Sequence, residues 1–222
     1  MTGTDTGVGK TYVAAALARR ARHHGAKVFA FKPIETGCVG LGEDQRELCA
    51  AAGAWQAGDL AGLYRFSKPV APRVAAAAEG TEIDIDRICQ VAAEGSRLAD
   101  LTIVEGAGGW RVPVTDRVDM ASLAVQVGLP VVVAARAALG TINHSLLTVQ
   151  AIEADGCTVS ALVLSQLPSD SEELATSNCM EISRLWSGEI VLLRADPTVL
   201  DPLIRSTWNT GSLAPDGHER QP

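Results

Sequence analysis

At 222 residues the chain is long enough to bury a sizeable core, and a single domain over residues 1–222 is expected. A net charge of −7 argues against nucleic acid or an anionic membrane as a main partner. Aromatics are only 4% of the chain against 47% hydrophobic residues, so Ala, Val, Leu and Ile must build the core, which suits parallel strands under Ala-rich helices. Cys38, Cys49, Cys89, Cys157 and Cys179 are scattered without CxxC spacing, which indicates neither a zinc site nor a disulfide framework. The sequence shows no secretory signal and no apolar run that could span a bilayer, so a soluble, cytoplasmic protein is expected.

The chain opens on Thr2-Gly3-Thr4-Asp5-Thr6-Gly7-Val8-Gly9-Lys10-Thr11, followed by a helical run from Tyr12 to Ala21. A glycine-rich loop ending in Gly-Lys-Thr at a helix start is suited to phosphate, because free N–H groups and the helix dipole both favour an anion there. In such a loop Thr6, Gly7, Val8 and Gly9 wrap the phosphates, Lys10 reaches the terminal ones and the Thr11 hydroxyl sits on magnesium. Gly3 lies one residue further from Gly9 than the common pattern requires, so the loop is a longer variant. Such loops hang from a buried strand. Only Met1 and Thr2 precede Gly3, so the expectation is a sheet short of its central strand, through a start upstream or a truncation.

Gly25 reads as a helix C-cap, and Lys27–Phe31 as a strand that delivers Lys32 to its carboxyl end, where open α/β sheets place ligand groups. Thr36 and Gly37 follow in a turn. Asp44 either caps the helix that begins there or serves as a magnesium ligand, and the residues leave both open. Residues 54–69 read as irregular. A helix over 74–79 and a second over 83–98, started by Asp84 or Asp86, come next. The run 101–104 is the clearest buried strand, and it ends in Glu105-Gly106-Ala107-Gly108-Gly109-Trp110. An acidic residue there can hold magnesium, and the small residues after it let a ligand approach the backbone. A helix over 119–127, a strand over 130–135 and a helix to about Ala154 follow; Thr141 or Asn143 could cap the last, whose N-terminus suits a carboxylate. His144 reads as a surface or packing residue. A strand over 158–164 places Ser165 and Gln166 at its end, and a helix over 172–186 and a strand over 189–193 complete the pattern. Residues 196–222 are expected to form a frayed tail. Strands alternating with helices at this spacing give a three-layer α/β/α fold with a mainly parallel sheet.

From Thr2 to about Leu193 the chain resembles the dethiobiotin synthetase family of P-loop enzymes. The resemblance rests on the variant loop, on Lys32-Pro33-Ile34-Glu35-Thr36-Gly37, on Val104–Trp110 and on Leu139-Gly140-Thr141-Ile142-Asn143-His144. It implies an ATP-dependent closure of 7,8-diaminopelargonic acid and CO2 into a cyclic urea, with a phosphorylated carbamate between. It further implies Lys10 and Lys32 as the catalytic charges and Thr11, Asp44 and Glu105 around Mg2+. The nucleotide would meet the phosphate loop, Glu105, Gly108, Ser165 and Gln166; Thr36, Gly106 and Ala107 would orient the substrate. Family members are homodimers with the site at the interface, so Gly140, Thr141 and Asn143 would come from the partner subunit.

Three departures stand out: the absent first strand; Gly7 where many members carry an acidic residue; and Ser165-Gln166 with Val191-Leu192 where an Asn-Asp pair and Pro-Trp are usual. The last implies relaxed choice among nucleoside triphosphates. Other readings are an amidoligase of corrinoid synthesis, which needs a glutaminase domain, and a partitioning ATPase, which carries an early loop lysine where this chain has Thr4 and Asp5. A non-catalytic remnant is a further alternative.

Overall fold

The computed structural model describes residues 1–38 and 42–207. The ladder β1 (Thr2–Gly3), β6 (Val131–Arg136), β7 (Val159–Ser165) and β8 (Ile190–Leu193) runs in the order β1-β6-β7-β8. β2 (Val28–Phe31) pairs with β5 (Leu101–Val104), and β3 (Ile34–Thr36) with β4 (Tyr64–Phe66); every one of these pairings is parallel. Alternate residues of each central strand enter different cores. Val28 and Ala30 join Ala161 and Val163 under α1 (Lys10–His23), α2 (Glu43–Ala51) and α8 (Asp201–Thr207). Phe29 and Phe31 pack on α4 (Ile85–Arg97), while Leu162 and Leu164 pack on α6 (Thr141–Ala154) and α7 (Glu172–Leu185). Strands buried on both faces are the reason these runs read as continuously apolar. The architecture is the expected α/β/α, P-loop NTPase-like one.

Short-range signals placed most helix ends. The Asp84 carboxylate accepts from the Arg87 N–H to cap α4, and Asp119 accepts from the Ser122 N–H to cap α5 (Met120–Val127). Gly25 and Gly128 follow their helices in the left-handed region, at φ 91° and 72°. α3 (Pro72–Ala78) begins two residues ahead of expectation, with proline in its first turn.

Three expectations need correction. Residues 54–69 are not irregular throughout, because they contain a 3-10 turn (Gly58–Ala61) and β4, which pairs with β3. Residues 197–207 are not frayed. A 3-10 turn (Pro197–Leu200) leads into α8, and Leu200, Leu203 and Ile204 are buried against α1. Arg20 forks onto both Asp201 oxygens at 2.8 and 2.6 Å, with His24 Nε2 3.2 Å away, so apolar burial and a bidentate pair hold this segment. Residues 208–222 lie outside the described residues, as do 39–41.

The first strand is shortened rather than absent. Thr2 and Gly3 pair with Val133 and Ala134, and the Thr4 N–H donates to the Ala134 carbonyl at 3.0 Å. The Met1 amine donates to the Val104 carbonyl at 2.7 Å, and the Gly106 N–H returns to the Met1 carbonyl at 3.0 Å. Burial pushes the Met1 amine down from 8.0 to about 6, against the opposing pull of Glu105. Between those values the folded amine is neutral while the unfolded one holds a proton. The unfolded state then binds more protons, so stability is expected to rise with pH from about 6 to 8. Thermal melts across that window check this, and N-terminal acetylation should remove the rise.

Candidate active site

Gly3, Lys32, Glu105 and Ser165 all stand at or just past the carboxyl ends of parallel strands, where an α/β sheet opens its ligand crevice. The phosphate loop closes over this edge through two left-handed glycines, Gly7 at φ 74° and Gly9 at φ 93°. A Cβ on Gly3 would lie 2.8 Å from Val8 Cγ2 and 3.1 Å from Lys10 Cδ, so the early glycine is needed by the loop's own closure. Gly9 precedes α1, and no side chain caps that helix. Its first-turn amides therefore point into the loop as anion donors.

Two lysines flank the loop in opposite electrostatic states. Lys10 Nζ donates to the Asp5 carbonyl at 2.9 Å. Burial, with Lys32 adding to it, holds the Lys10 pKa below the ordinary lysine value, although Glu105, Asp44 and Asp5 oppose the shift. Lys32 is buried too, but it pairs with Asp44 and donates to Glu105 Oε1 at 2.8 Å, and these two carboxylates outweigh desolvation to raise its pKa. Lys10 is short of counter-charge; Lys32 is not.

Glu105 is fully buried. Its Oε1 accepts from Thr11 Oγ1 at 2.8 Å as well as from Lys32, while its Oε2 has no partner. A buried carboxylate oxygen without a donor is costly unless a cation or water completes it. Thr11 meets the other oxygen, Oε1, and Asp44 is joined to the group through Lys32, so three hard-oxygen side chains lie in one hydrogen-bonded cluster. Among the described residues there is no cluster of three or more His, Cys, Asp or Glu able to hold a metal alone. Magnesium takes one or two carboxylates and completes its shell with phosphate and water, so the residues fit that ion.

The alternatives at Asp44 separate here. Gly42 is the N-cap of α2, and Glu35 caps it from β3, accepting from the Asp44 N–H at 3.0 Å and the Gln45 N–H at 2.9 Å. Asp44, freed from capping, turns to Lys32. Sequence reasoning missed Glu35, because its partners lie nine and ten residues away across a loop. Thr36 ends β3, half-buried, with Gly37 turning at φ 79°. Beyond them, burial first and Glu35 second push the Cys38 thiol up to about 11, which keeps it protonated and poorly nucleophilic.

The Glu105–Trp110 turn abuts the phosphate loop, with Gly109 bridged to Gly3. The Gly106 amide is held by Met1, Ala107 is buried, and Gly108 sits at φ 68°. A Cβ on Gly108 would lie 2.8 Å from Val112 Cγ2 and 3.5 Å from Thr6 Oγ1, so Gly108 and Thr6 are brought together. Across the crevice the Ser165 hydroxyl is buried without a partner, 3.3 Å from where a Gly9 Cβ would be. Gln166 is engaged by the protein at both ends of its amide, donating to the Asp170 carbonyl at 3.3 Å and accepting from Arg194 Nε at 2.9 Å. Arg194, outside every motif, was not foreseen.

At α6 the capping expectation is corrected. Gly140, at φ 91°, is the N-cap with no side-chain hydrogen bond; Thr141 is buried 3.3 Å from the Ser145 hydroxyl, and Asn143 faces solvent. The Thr141 N–H donates to the Ala138 carbonyl at 3.2 Å, and no side chain caps the Ile142 and Asn143 amides that follow, beside Leu139, which is 89% exposed. No hydrogen bond or ion pair ties this turn to the phosphate loop within the protomer among the described residues.

Comparison with known proteins agrees with this geometry. A family described as an AAA domain matches residues 1–192. The ATP-dependent dethiobiotin synthetase BioD of Anaeromyxobacter dehalogenans strain 2CP-C is 41% identical over 201 residues, 90% of each chain. That of Aromatoleum aromaticum is 44% identical over 173 residues, covering 75% of this chain and 76% of its own. Among solved structures, the MinD cell division protein of Aquifex aeolicus superposes with a TM-score of 0.53 at 14% identity, over 93% of this chain and 85% of its own, a likeness of fold. With its phosphate loop, strand-end lysine and buried glutamate arranged as described, the chain belongs to the dethiobiotin synthetase family.

Proposed function

We propose that this chain closes 7,8-diaminopelargonic acid and CO2 into dethiobiotin at the expense of ATP, releasing ADP and phosphate, with Mg2+ at Glu105. The observation that carries the reading is the buried Glu105, bonded to Lys32 and Thr11 on one oxygen and bare on the other, directly behind a phosphate loop. Thr11, Asp44 and Glu105 would hold magnesium, which neutralises phosphate charge when bound. Lys10, short of counter-charge, faces the terminal phosphate. Lys32, kept cationic by its carboxylates, sits where the carbamate oxygens gather charge. In the reaction a carbamate oxygen bonds to the γ-phosphorus as ADP leaves. The second amine then bonds to the carbamate carbon as phosphate leaves, and its protons pass to solvent. Phosphoryl transfer of this kind needs positioning and charge more than covalent chemistry. Thr36 and the Gly106–Ala107 backbone orient the diamine, and Thr6–Gly9, Gly108 and Ser165 line the nucleotide.

We further infer a cytoplasmic homodimer in which the open α6 N-terminus of one subunit holds the far carboxylate of the other subunit's substrate. The exposed Leu139 and Leu147 at the head and side of α6 support that face as the interface.

Dethiobiotin formation from diaminopelargonate, bicarbonate, Mg2+ and ATP tests the reaction; a folded, nucleotide-binding protein without turnover would overturn it. Glu105→Gln and Lys32→Ala are each expected to lower kcat by about 10²–10³-fold. Mixing Lys10→Ala with Asn143→Asp protein should restore about a quarter of the sites, since half the dimers are mixed and each holds one intact site. No recovery would place the whole site within one subunit. Because Gln166 is committed to Arg194 and Asp170, ATP and CTP are expected to give rates within about tenfold of each other.

A further inference from the structure

Consecutive side chains at the start of α1 leave it toward opposite ends of the crevice. Thr11 reaches Glu105, which follows β5, with its hydroxyl 2.8 Å from Oε1. The turn after Glu105 lies beside β1, where Gly109 bridges Gly3. Tyr12 reaches the other way. Its hydroxyl donates to the Arg194 carbonyl at 3.4 Å, just past β8 at the far edge of the β1-β6-β7-β8 ladder. The polarity of a phosphate loop orients a nucleotide along this line. Lys10 and Thr11 serve the terminal phosphates on the Glu105 side, and the α-phosphate lies over the helix amides that follow. The nucleoside therefore leaves toward Tyr12 and Arg194.

At that end the polar side chains are engaged and the aromatic one is open. Gln166 is held at both ends of its amide, and the Ser165 hydroxyl is buried beside Gly9. The Arg194 guanidinium is spread over Gln166 Oε1 at 2.9 Å, Thr176 Oγ1 at 3.2 Å and Glu172 at 3.3 Å. Tyr12, by contrast, is 52% exposed, although the six residues after it on α1 are all buried. It is the one aromatic among the exposed large apolar side chains of the described residues. We propose that the Tyr12 ring is the platform on which the nucleoside base stacks, so that the base is held by its face rather than read at its edge. The Arg194 carbonyl tethers the phenol and so sets the plane of the ring. Every base has a π-face, so such a platform accepts purines and pyrimidines alike. The proposal rests on the reading of the phosphate loop as a nucleoside triphosphate site, and it adds the residue that holds the base.

Equilibrium binding of ATP, CTP, GTP, UTP and tripolyphosphate, each with Mg2+, to the full chain and its Tyr12 variants tests this. Tripolyphosphate carries the charge without a base. Tyr12→Ala is expected to weaken all four nucleotides by about tenfold and by similar factors, the level at which stacking on an aromatic side chain contributes per base. Tripolyphosphate should bind that variant as tightly as it binds the unaltered protein. Tyr12→Phe keeps the ring and should recover the nucleotide affinity that Tyr12→Ala loses. In the unaltered protein the Tyr12 ring protons should move upfield in NMR spectra when a nucleotide binds and stay in place with tripolyphosphate, a readout that needs no variant. An equal loss of tripolyphosphate would overturn the proposal by giving Tyr12 a part in shaping the phosphate loop, and ring protons that ignore the nucleotide would overturn it directly. So would a loss confined to one base, or Tyr12→Phe as weak as Tyr12→Ala, since these assign the contact to a base edge or to the hydroxyl. If nucleotides and tripolyphosphate bind with no dependence on the ring, this proposal fails alone; if none of the five ligands binds the unaltered protein, the phosphate-loop reading fails with it.

Discussion

The site depends on one buried carboxylate. Glu105 has no access to water, and Lys32 and Thr11 answer its carboxylate inside the protein. Removing one partner of such a pair leaves the other bare and costs about 3–5 kcal/mol. The same contacts fix geometry. Glu105 ends β5, Lys32 follows β2 and Thr11 lies in the first turn of α1, so one side chain sets the spacing of two strand ends and the phosphate-loop helix. Satisfying only one of its oxygens gives rigidity and leaves the other for a ligand.

Around that anchor, residues of one type take different roles from their surroundings. Lys10 and Lys32 are both buried, yet burial prevails at Lys10 and two carboxylates prevail at Lys32. The first gains by meeting an added anion, and the second is saturated until a ligand rearranges its partners. The backbone shows the same division. Gly9 and Gly140 both stand in the left-handed region ahead of a helix that no side chain caps. Each therefore leaves a helix N-terminus without a side-chain cap, one inside the phosphate loop and the other on an open face.

What could be read from the sequence was what neighbouring residues determine. The phosphate loop, the strand ahead of Glu105, and the Asp84 and Asp119 caps are all specified within a few positions by residue type and period. What escaped was set across space. Glu35 caps a helix from a neighbouring strand, and nothing in Ile34-Glu35-Thr36 marks it for that role. Gln166 is committed by Arg194, 28 residues later. β3 and β4 are three residues each, too short for an alternation to be seen. Residues 197–207 looked frayed because their prolines and acids are conspicuous, while the three apolar residues that close over α1 are meaningful only once α1 is in place.

The long reach of the β1 contacts has a consequence for how the protein is made. During synthesis the phosphate loop emerges well ahead of its frame: Val104 to hold Met1, Gly109 to bridge Gly3, Ala134 to receive the Thr4 amide, and Ser165 beside Gly9. Parallel pairings between such distant segments close slowly, because loop-closure entropy is lost before any contact returns it. Synthesis must pass Ser165 before the loop has all its walls. Nucleotide thus reaches a nearly finished protein rather than a nascent one, and cannot act as a template for the early stages of folding.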